Sequence, residues 1–485
     1  QLTPGRYPFL AAFVNNRIKE LNYKIYTPVT VRFVDITDFA GIRVYQRTSW
    51  FILQKAARTL FPGHTLHIRH SMGQSGFYCE LEGLDEFTHE QAAALEGHMR
   101  EVVAQNLPIE RTKVLTSELR AIYAEQGFDD KTALLDTRPR LYSDLYTLDG
   151  TAGYFYGALA PSTGYVTLFD IEPYYNGFYL ALPLRTSPDT LHRNVHQEKM
   201  FGIFQEYQSW VRIMGVPTVG DVNSKVLAGD AGGMIKLAEA FHERKFAWVA
   251  DTIYDAHLSR GARMVLISGP SSSGKTTSAK RLGIQLGVLG LNPVLISLDD
   301  YFVEREKTPR DEKGDYDFEA LEAVDVELFN DHLNRLLKGE TVRIPRYNFI
   351  TGKREFHEQP LQMEERSVLV IEGIHGLNPK LTPHVAADMK FKIYVSALTS
   401  IAMDNLNRIA TTDSRLIRRI VRDHRTRGNS ATDTLRRWES VRRGEDKHIF
   451  PNQEQADLMF NSSLFYELSV LKDYVRPLLR EVPDT

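Results

Sequence analysis

Cysteine is almost absent: Cys79 stands alone in 485 residues. One thiol closes no intramolecular disulfide and builds no cysteine-rich metal site. A disulfide-stapled secreted fold is therefore excluded, and a reducing, cytoplasmic compartment is expected. Long apolar runs are also missing. Stretches such as 264–268 and 367–371 are strand-sized, whereas a membrane-spanning helix needs about 20 apolar residues, so no membrane partner is expected. Nor is there a surplus of one charge. Lys plus Arg number 59 and Asp plus Glu 62, a net charge of −3. No global basic field draws nucleic acid or an anionic membrane, and any polyanion site must be local. Fixed-period repeats and low-complexity tracts are absent. The chain starts at Gln1 without an initiator Met or a targeting pattern, and upstream residues are expected.

What is present is an ordinary globular composition, 42% apolar and 25% charged. This length suggests about three folded units, each able to bury a core. Changes of periodicity divide the chain into four segments. Residues 1–45 read as a small α+β unit, with a short helix-like stretch near 9–21 and a strand over 29–34. Residues 46–190 read as a second α+β domain. It has a helix at 50–60, a strand at 76–81, an amphipathic helix at 89–106 and aromatic-rich strands near 154–169 and 174–182. Residues 191–260 read as a helical connector in which Leu237, Phe241 and Trp248 share one helical face. From 261 to 485, β-branched runs alternate with helical patterns, which predicts a multidomain protein whose C-terminal α/β domain carries a parallel sheet.

The chemistry is concentrated in that last segment. The apolar run 264–268 leads into Gly269-Pro-Ser-Ser-Ser-Gly274-Lys275-Thr276, which satisfies G-x-x-x-x-G-K-[ST] in the strand-then-helix context such a loop requires. Glycines let the backbone approach a phosphate, while successive N–H groups and a helix N-terminus attract the anion. Gly269, Ser271, Ser272, Ser273, Gly274, Lys275, Thr276 and Thr277 are the expected ATP-binding residues. Lys275 is expected to reach the β- and γ-phosphates, and the Thr276 hydroxyl to meet Mg²⁺.

A second apolar strand ends in Asp299-Asp300. Ligands bind beyond the carboxyl ends of parallel strands, so one carboxylate can accept the proton of an attacking hydroxyl. Asp299 is the candidate, and a capping or arginine-pairing role for these acids is the alternative. A third strand delivers Glu372, which with Thr276 and Asp299 forms the candidate Mg²⁺ set. Between 408 and 443 lie eleven arginines against four acids. Arg415, Arg418, Arg419 and Arg422 fall on one helical face, opposite Leu416, Ile417, Ile420 and Val421. Such a helix can act as a lid over a triphosphate. A solvated basic face and an RNA-binding strip are the alternatives, the latter disfavoured because no aromatics interleave.

These motifs together resemble the uridine kinase and phosphoribulokinase family of P-loop kinases over about 261–480. In order they are the loop 269–277, Ser297-Leu-Asp-Asp-Tyr-Phe302, Asp315-Tyr-Asp-Phe-Glu319, Ile344-Pro-Arg-Tyr-Asn-Phe349, Val370-Ile-Glu-Gly-Ile374 and Arg415-Leu-Ile-Arg-Arg-Ile-Val-Arg-Asp423. The resemblance implies ATP-dependent phosphorylation of a nucleoside 5′-hydroxyl with Mg²⁺. Asp299 would be the base and Asp317 would bind the ribose hydroxyls. Tyr347 would lie at the nucleobase, with Arg415 and Arg418 near the sugar and the transferred phosphate. Gly352 stands where uridine kinases commonly carry a base-contacting histidine, so base selectivity is open. A sugar-phosphate kinase using Arg346, Lys353 and Arg354 is the nearest alternative, and a nucleotide-sensing RNA-binding regulator the more distant one.

Residues 7–190 resemble the amino-terminal region of threonyl-tRNA synthetases, the end of a TGS domain followed by the editing domain. The matching stretches are Ala12-Phe-Val-Asn-Asn16, the run 52–62 and Gly76-Phe-Tyr78. Arg47 and Phe51 occupy the positions of the editing H-x-x-x-H pair, and neither can act as its base or metal ligand, so hydrolytic editing is expected to be lost. The resemblance leaves tRNA or a regulatory ligand as a partner of the front half, and homo-oligomerisation open. His64, His67 and His70 are expected at the surface, because a spacing of three along a strand throws His67 to the opposite face.

Overall fold

The computed structural model describes residues 5–73, 76–192, 196–312 and 314–483. The chain begins with a hairpin, Ala11–Val14 against Arg17–Lys19, completed by Val31–Val34 in an antiparallel sheet. The helix-like stretch expected near 9–21 is this hairpin instead. Asn15 and Asn16 both take positive φ, 46° and 60°, the left-handed pair that a tight hairpin turn needs and that asparagine tolerates. One helix, Phe39–Leu60, runs through the boundary expected at 45/46, so the first two segments share an element.

Four antiparallel strands follow in the spatial order Thr65–Met72, Gly76–Glu82, Gly177–Ala181 and Asp170–Tyr174. Phe39–Leu60 and the capped helix His89–Ala104 share a core with this sheet through Phe51, Leu53, Leu95, Met99, Phe178 and Leu180. The aromatic run near 154–169 is buried but irregular, with a single 3₁₀ turn at Thr163–Tyr165. Its apolar content reflects burial rather than strand pairing.

Two of the three histidines expected at the surface are inside. His67 and His70 are 7% and 2% exposed. The ladder shifts register between Ile68 and His70, and the extra residue turns His70 onto the face His67 occupies. His70 stacks on Phe204 at 3.8 Å between ring centroids. Among the described residues no cluster of three or more His, Cys, Asp or Glu side chains could hold a metal ion. Arg47 donates to the Ala158 carbonyl at 3.1 Å and Phe51 is fully buried.

Helices Glu198–Ile213, Val219–Leu227 and Ala231–Arg260 fill the connector. The face of the last one differs from the expected one: Leu237 and Trp248 are about half exposed, while Phe246, Val249, Ala250 and Ile253 are buried. These four pack on Val265, Ile267 and Phe391 of the next sheet. The end of the connector is thus a covering layer of the C-terminal domain.

That domain is a five-stranded parallel sheet in the order Asn292–Ser297, Ser367–Glu372, Met264–Ser268, Lys390–Ser396 and Leu458–Asn461. Alternate residues face opposite cores. Met264, Leu266 and Ile296 meet Phe329 and Leu333 on one side, and Val265, Ile267 and Val370 meet Leu282 and Ile253 on the other. Burial on both faces explains the unbroken apolar runs. Among the described residues no helix is long and apolar enough to cross a membrane.

Candidate active site

The loop 269–274 joins the central strand Met264–Ser268 to the helix Lys275–Val288. Gly269 is enforced by packing, since a Cβ there would stand 1.9 Å from the Val395 carbonyl oxygen. Gly274 caps the helix at φ +92°, and Ser272 also takes positive φ, 59°. Alternating φ signs of this kind turn backbone N–H groups inward to form an anion nest. The Ser272 and Ser273 hydroxyls are buried with no hydrogen-bond partner, as befits a loop shaped for an acceptor-rich guest.

Lys275 curls back onto its own loop, donating to the carbonyls of Gly269 at 2.9 Å and Pro270 at 3.2 Å. Burial lowers its proton affinity, and the fields of Glu372, Asp299 and Glu319 oppose that effect. Glu372, Asp299 and Glu319 thus all lie within electrostatic range of the ammonium. Glu372 ends the neighbouring strand, and its Oε1 accepts the hydroxyls of Thr276 and Ser297, each at 2.9 Å. Burial, reinforced by repulsion from Asp299, raises the Glu372 pKa. Two mutually repelling carboxylates with two hydroxyls form an all-oxygen donor set. That set suits Mg²⁺, which is usually held by one or two carboxylates plus phosphates and water.

Asp299 and Asp300 lie in the 3₁₀ turn Leu298–Tyr301 and have different jobs. Asp300 accepts the Tyr347 amide at 3.2 Å and so holds the hairpin of Pro345–Asn348 with Lys353–Phe356. Asp299 lies 3.7 Å from Arg427 and keeps more than a third of its side-chain surface open. Asp317 caps its own turn by accepting from the Glu319 amide at 3.1 Å. Tyr347 is only 5% exposed, edge-on to Phe302 and Phe349, so its ring lies inside an aromatic cluster. Gly352 takes φ +72°, and a Cβ there would stand 2.8 Å from Arg305 Nε. Arg305 therefore fills the space a side chain at 352 would need.

The arginine helix, Thr411–Arg427, turns its basic face onto the loop rather than to solvent. Arg415 forms a two-pronged pair with Glu445 at 2.5 and 2.6 Å, both residues being almost fully buried. Glu445 also accepts the Ser271 amide at 3.0 Å. Arg418 is bound to Glu467, the Ser462 hydroxyl and the Ser462 carbonyl. In the ligand-free structure Arg415 and Arg418, expected near the sugar and the transferred phosphate, brace the loop through Glu445, Glu467 and Ser462. Arg415→Met would leave Glu445 with the Ser271 amide and a single cation, Arg442. It is expected to cost about 3–5 kcal/mol of stability, as breaking a buried pair does, measured as a shift of the urea midpoint.

Glu445 and Arg427 were not singled out from the sequence, where Arg419 appears only as one of four arginines on a helical face and Glu319 only as the end of a motif. Arg419 donates to the Ser271 hydroxyl at 2.7 Å. Glu319 Oε2 is buried without a hydrogen-bond partner. Burial raises its carboxyl to about 7, only partly offset by Arg419 and Lys275. Its motif was visible, but the field around it comes from residues distant in sequence. A carboxyl whose pKa is raised on folding favours the native state below its unfolded pKa of about 4.3 and loses that contribution as pH rises through about 7. Glu319→Gln is therefore expected to flatten the decline in stability of the ligand-free protein between about pH 5 and 8. The effect is on the order of 2 kcal/mol, read from urea midpoints across pH.

Residues 264–464 match the Phosphoribulokinase / Uridine kinase family. A uridine kinase of Mycoplasma pneumoniae is 29% identical over 229 residues, covering 47% of this chain and 98% of that protein. A uridine kinase of Staphylococcus aureus is 26% identical over 201 residues, covering 41% of this chain and 87% of that protein. A solved Bacillus stearothermophilus structure described as "a Possible Uridine Kinase" aligns over 45% of this chain and 98% of that one, with 21% identity and a TM-score of 0.30.

Proposed function

We propose, from the membership of residues 264–464 in the phosphoribulokinase and uridine kinase family of P-loop kinases, that the protein transfers the γ-phosphate of ATP to a nucleoside 5′-hydroxyl. The acceptor is of the uridine or cytidine type, and the products are nucleoside monophosphate and ADP. The observation that carries this reading is the Glu372 carboxylate, which accepts the hydroxyl of Thr276, next to Lys275, and that of Ser297, two residues before Asp299.

Lys275 exchanges the Gly269 and Pro270 carbonyls for β- and γ-phosphate oxygens, while the loop amides take the remaining phosphate charge. Asp299, the open carboxylate of the pair, orients the acceptor hydroxyl and takes its proton. Thr276, Glu372 and Asp299 would hold Mg²⁺, which when bound neutralises charge on the β/γ oxygens. Arg415 and Arg418 position the loop through Glu445, Glu467 and Ser462, and the arginine helix limits access of water to the phosphate. Asp317 supplies acceptors for the ribose hydroxyls, and Tyr347 supports the aromatic wall beneath the base.

The sugar-phosphate reading is disfavoured by Arg354, which is bound to Asp325 at 2.9 Å and to the Phe302 carbonyl. Only Arg346 and Lys353 of the three candidate cations stay exposed. The deciding measurement is ADP release with ATP–Mg²⁺ across a panel of nucleosides and sugar phosphates. A nucleoside acceptor is the expected result, and turnover confined to sugar phosphates would overturn it. The front half is assigned as a synthetase-like TGS and editing-type unit serving as an accessory domain. The part-buried Arg47, whose pKa desolvation lowers to about 10, and the buried Phe51 support its lack of hydrolytic chemistry.

A further inference from the structure

A second cavity, of about 400 Å³, lies away from the P-loop where three parts of the chain meet. The front half contributes His67 and Arg69 from the sheet and Asp129 from a helix. The connector contributes Gln208 and Arg212. The C-terminal domain contributes Thr399 and Arg408, from the segment between the strand Lys390–Ser396 and the arginine helix. A space of this size suits a small metabolite.

Its walls carry polar atoms without partners. His67 Nδ1, Gln208 Oε1, Thr399 Oγ1 and Arg408 Nε are all buried and lack a hydrogen bond. An unmet buried polar atom costs about 1–3 kcal/mol, so four around one hollow favour a guest that supplies polar partners. Their chemistry specifies it. Among the described residues no carboxylate closes an ion pair with Arg408, whose guanidinium stands 5.1 Å over the Phe77 ring. Arg69 and Arg212, by contrast, share Glu80 at 2.7 and 3.1 Å. The carboxylate that acts on Arg408 is Asp413, which is itself paired with Arg43 at 2.8 Å, so Arg408 has room for a further anion. His67 Nε2 meets Glu82 Oε2 at 2.8 Å, and burial lowers the ring's pKa. The neutral ring donates from Nε2 and leaves Nδ1 as an acceptor. Gln208 Oε1 is another acceptor, and Thr399 can serve either way.

We propose that this cavity is a binding site for a small organic anion that also carries hydrogen-bond donors, its carboxylate or phosphate on Arg408 and its amine or hydroxyl groups on Gln208 and His67. The site is linked to the P-loop. Arg408 lies three residues before the arginine helix, which touches Ser271 through Arg419 and approaches Asp299 through Arg427. A ligand that orders the 399–409 segment biases the helix that braces the phosphate loop, and so acts as an effector.

The test is thermal unfolding of the full chain without ATP, titrated with two probe sets, α-amino acids and phosphate monoesters including nucleoside monophosphates. At least one probe is expected to raise the midpoint saturably. Its apparent Kd is expected to rise tenfold or more in Arg408→Gln and to stay unchanged in Lys275→Ala. The responding set distinguishes a carboxylate from a phosphate source. Gln208→Leu guards against simple misfolding: removing an unmet acceptor is expected to keep or raise the ligand-free midpoint while abolishing the probe's shift. No shift from any probe, a shift retained in both cavity variants, or one lost in Lys275→Ala would overturn the proposal, the last by placing the probe at the P-loop.

Discussion

Asp299→Asn is expected to lower turnover by about 10²–10⁴-fold, the usual contribution of a positioned base, with ATP affinity nearly unchanged. Asparagine keeps the shape and can still orient a hydroxyl, but it cannot take a proton at neutral pH. The neighbouring Asp300 cannot substitute, because its carboxylate is committed to the Tyr347 amide. Steady-state ADP release with a nucleoside acceptor, set beside an equilibrium nucleotide titration, separates the two effects. Equal losses in both would remove Asp299 from the chemical step and leave it as part of the nucleotide or metal site.

Lys275→Ala is expected to lose at least about 10³-fold in turnover and to weaken ATP binding as well, since a preorganised donor aimed at developing charge is worth about 10²–10³-fold and this one also holds the ground-state phosphates. A second penalty comes from the surroundings. Glu372, Asp299 and Glu319 all act on the ammonium, and without it their mutual repulsion is unrelieved. The same coupled assay and titration measure the result. Unchanged nucleotide affinity would mean that the carbonyl-bound position of Lys275 persists in the complex.

Features of the site that depend on neighbours in sequence were legible beforehand. The strand, glycine loop and helix around Lys275 follow from local pattern, as do the strand-terminal Asp299 and Glu372. The Arg415 to Arg422 face was legible as a face, but its partners were not. Glu445 lies 30 residues from Arg415, and nothing local marks one glutamate as the one that folds under the phosphate loop. In the front half, two asparagines at a turn outweighed an apolar spacing that read as helix. A single register shift reversed the side on which His70 falls. The connector helix had the right type and the wrong face, because the sheet it covers belongs to residues that come later in the chain.

Leu406, from the C-terminal domain, is 2% exposed within the hydrophobic core of the front half. Close by, Lys131 meets Asp404 at 2.8 Å, the two side chains being 3% and 0% exposed, and Ile68 donates to the Asn405 carbonyl at 2.8 Å. A protein cut at residue 260 would thus carry a stranded leucine and an orphaned aspartate just upstream of its arginine helix. The two halves are interlocked at this joint, and replacing one of them alone would require redesigning both sides of it together.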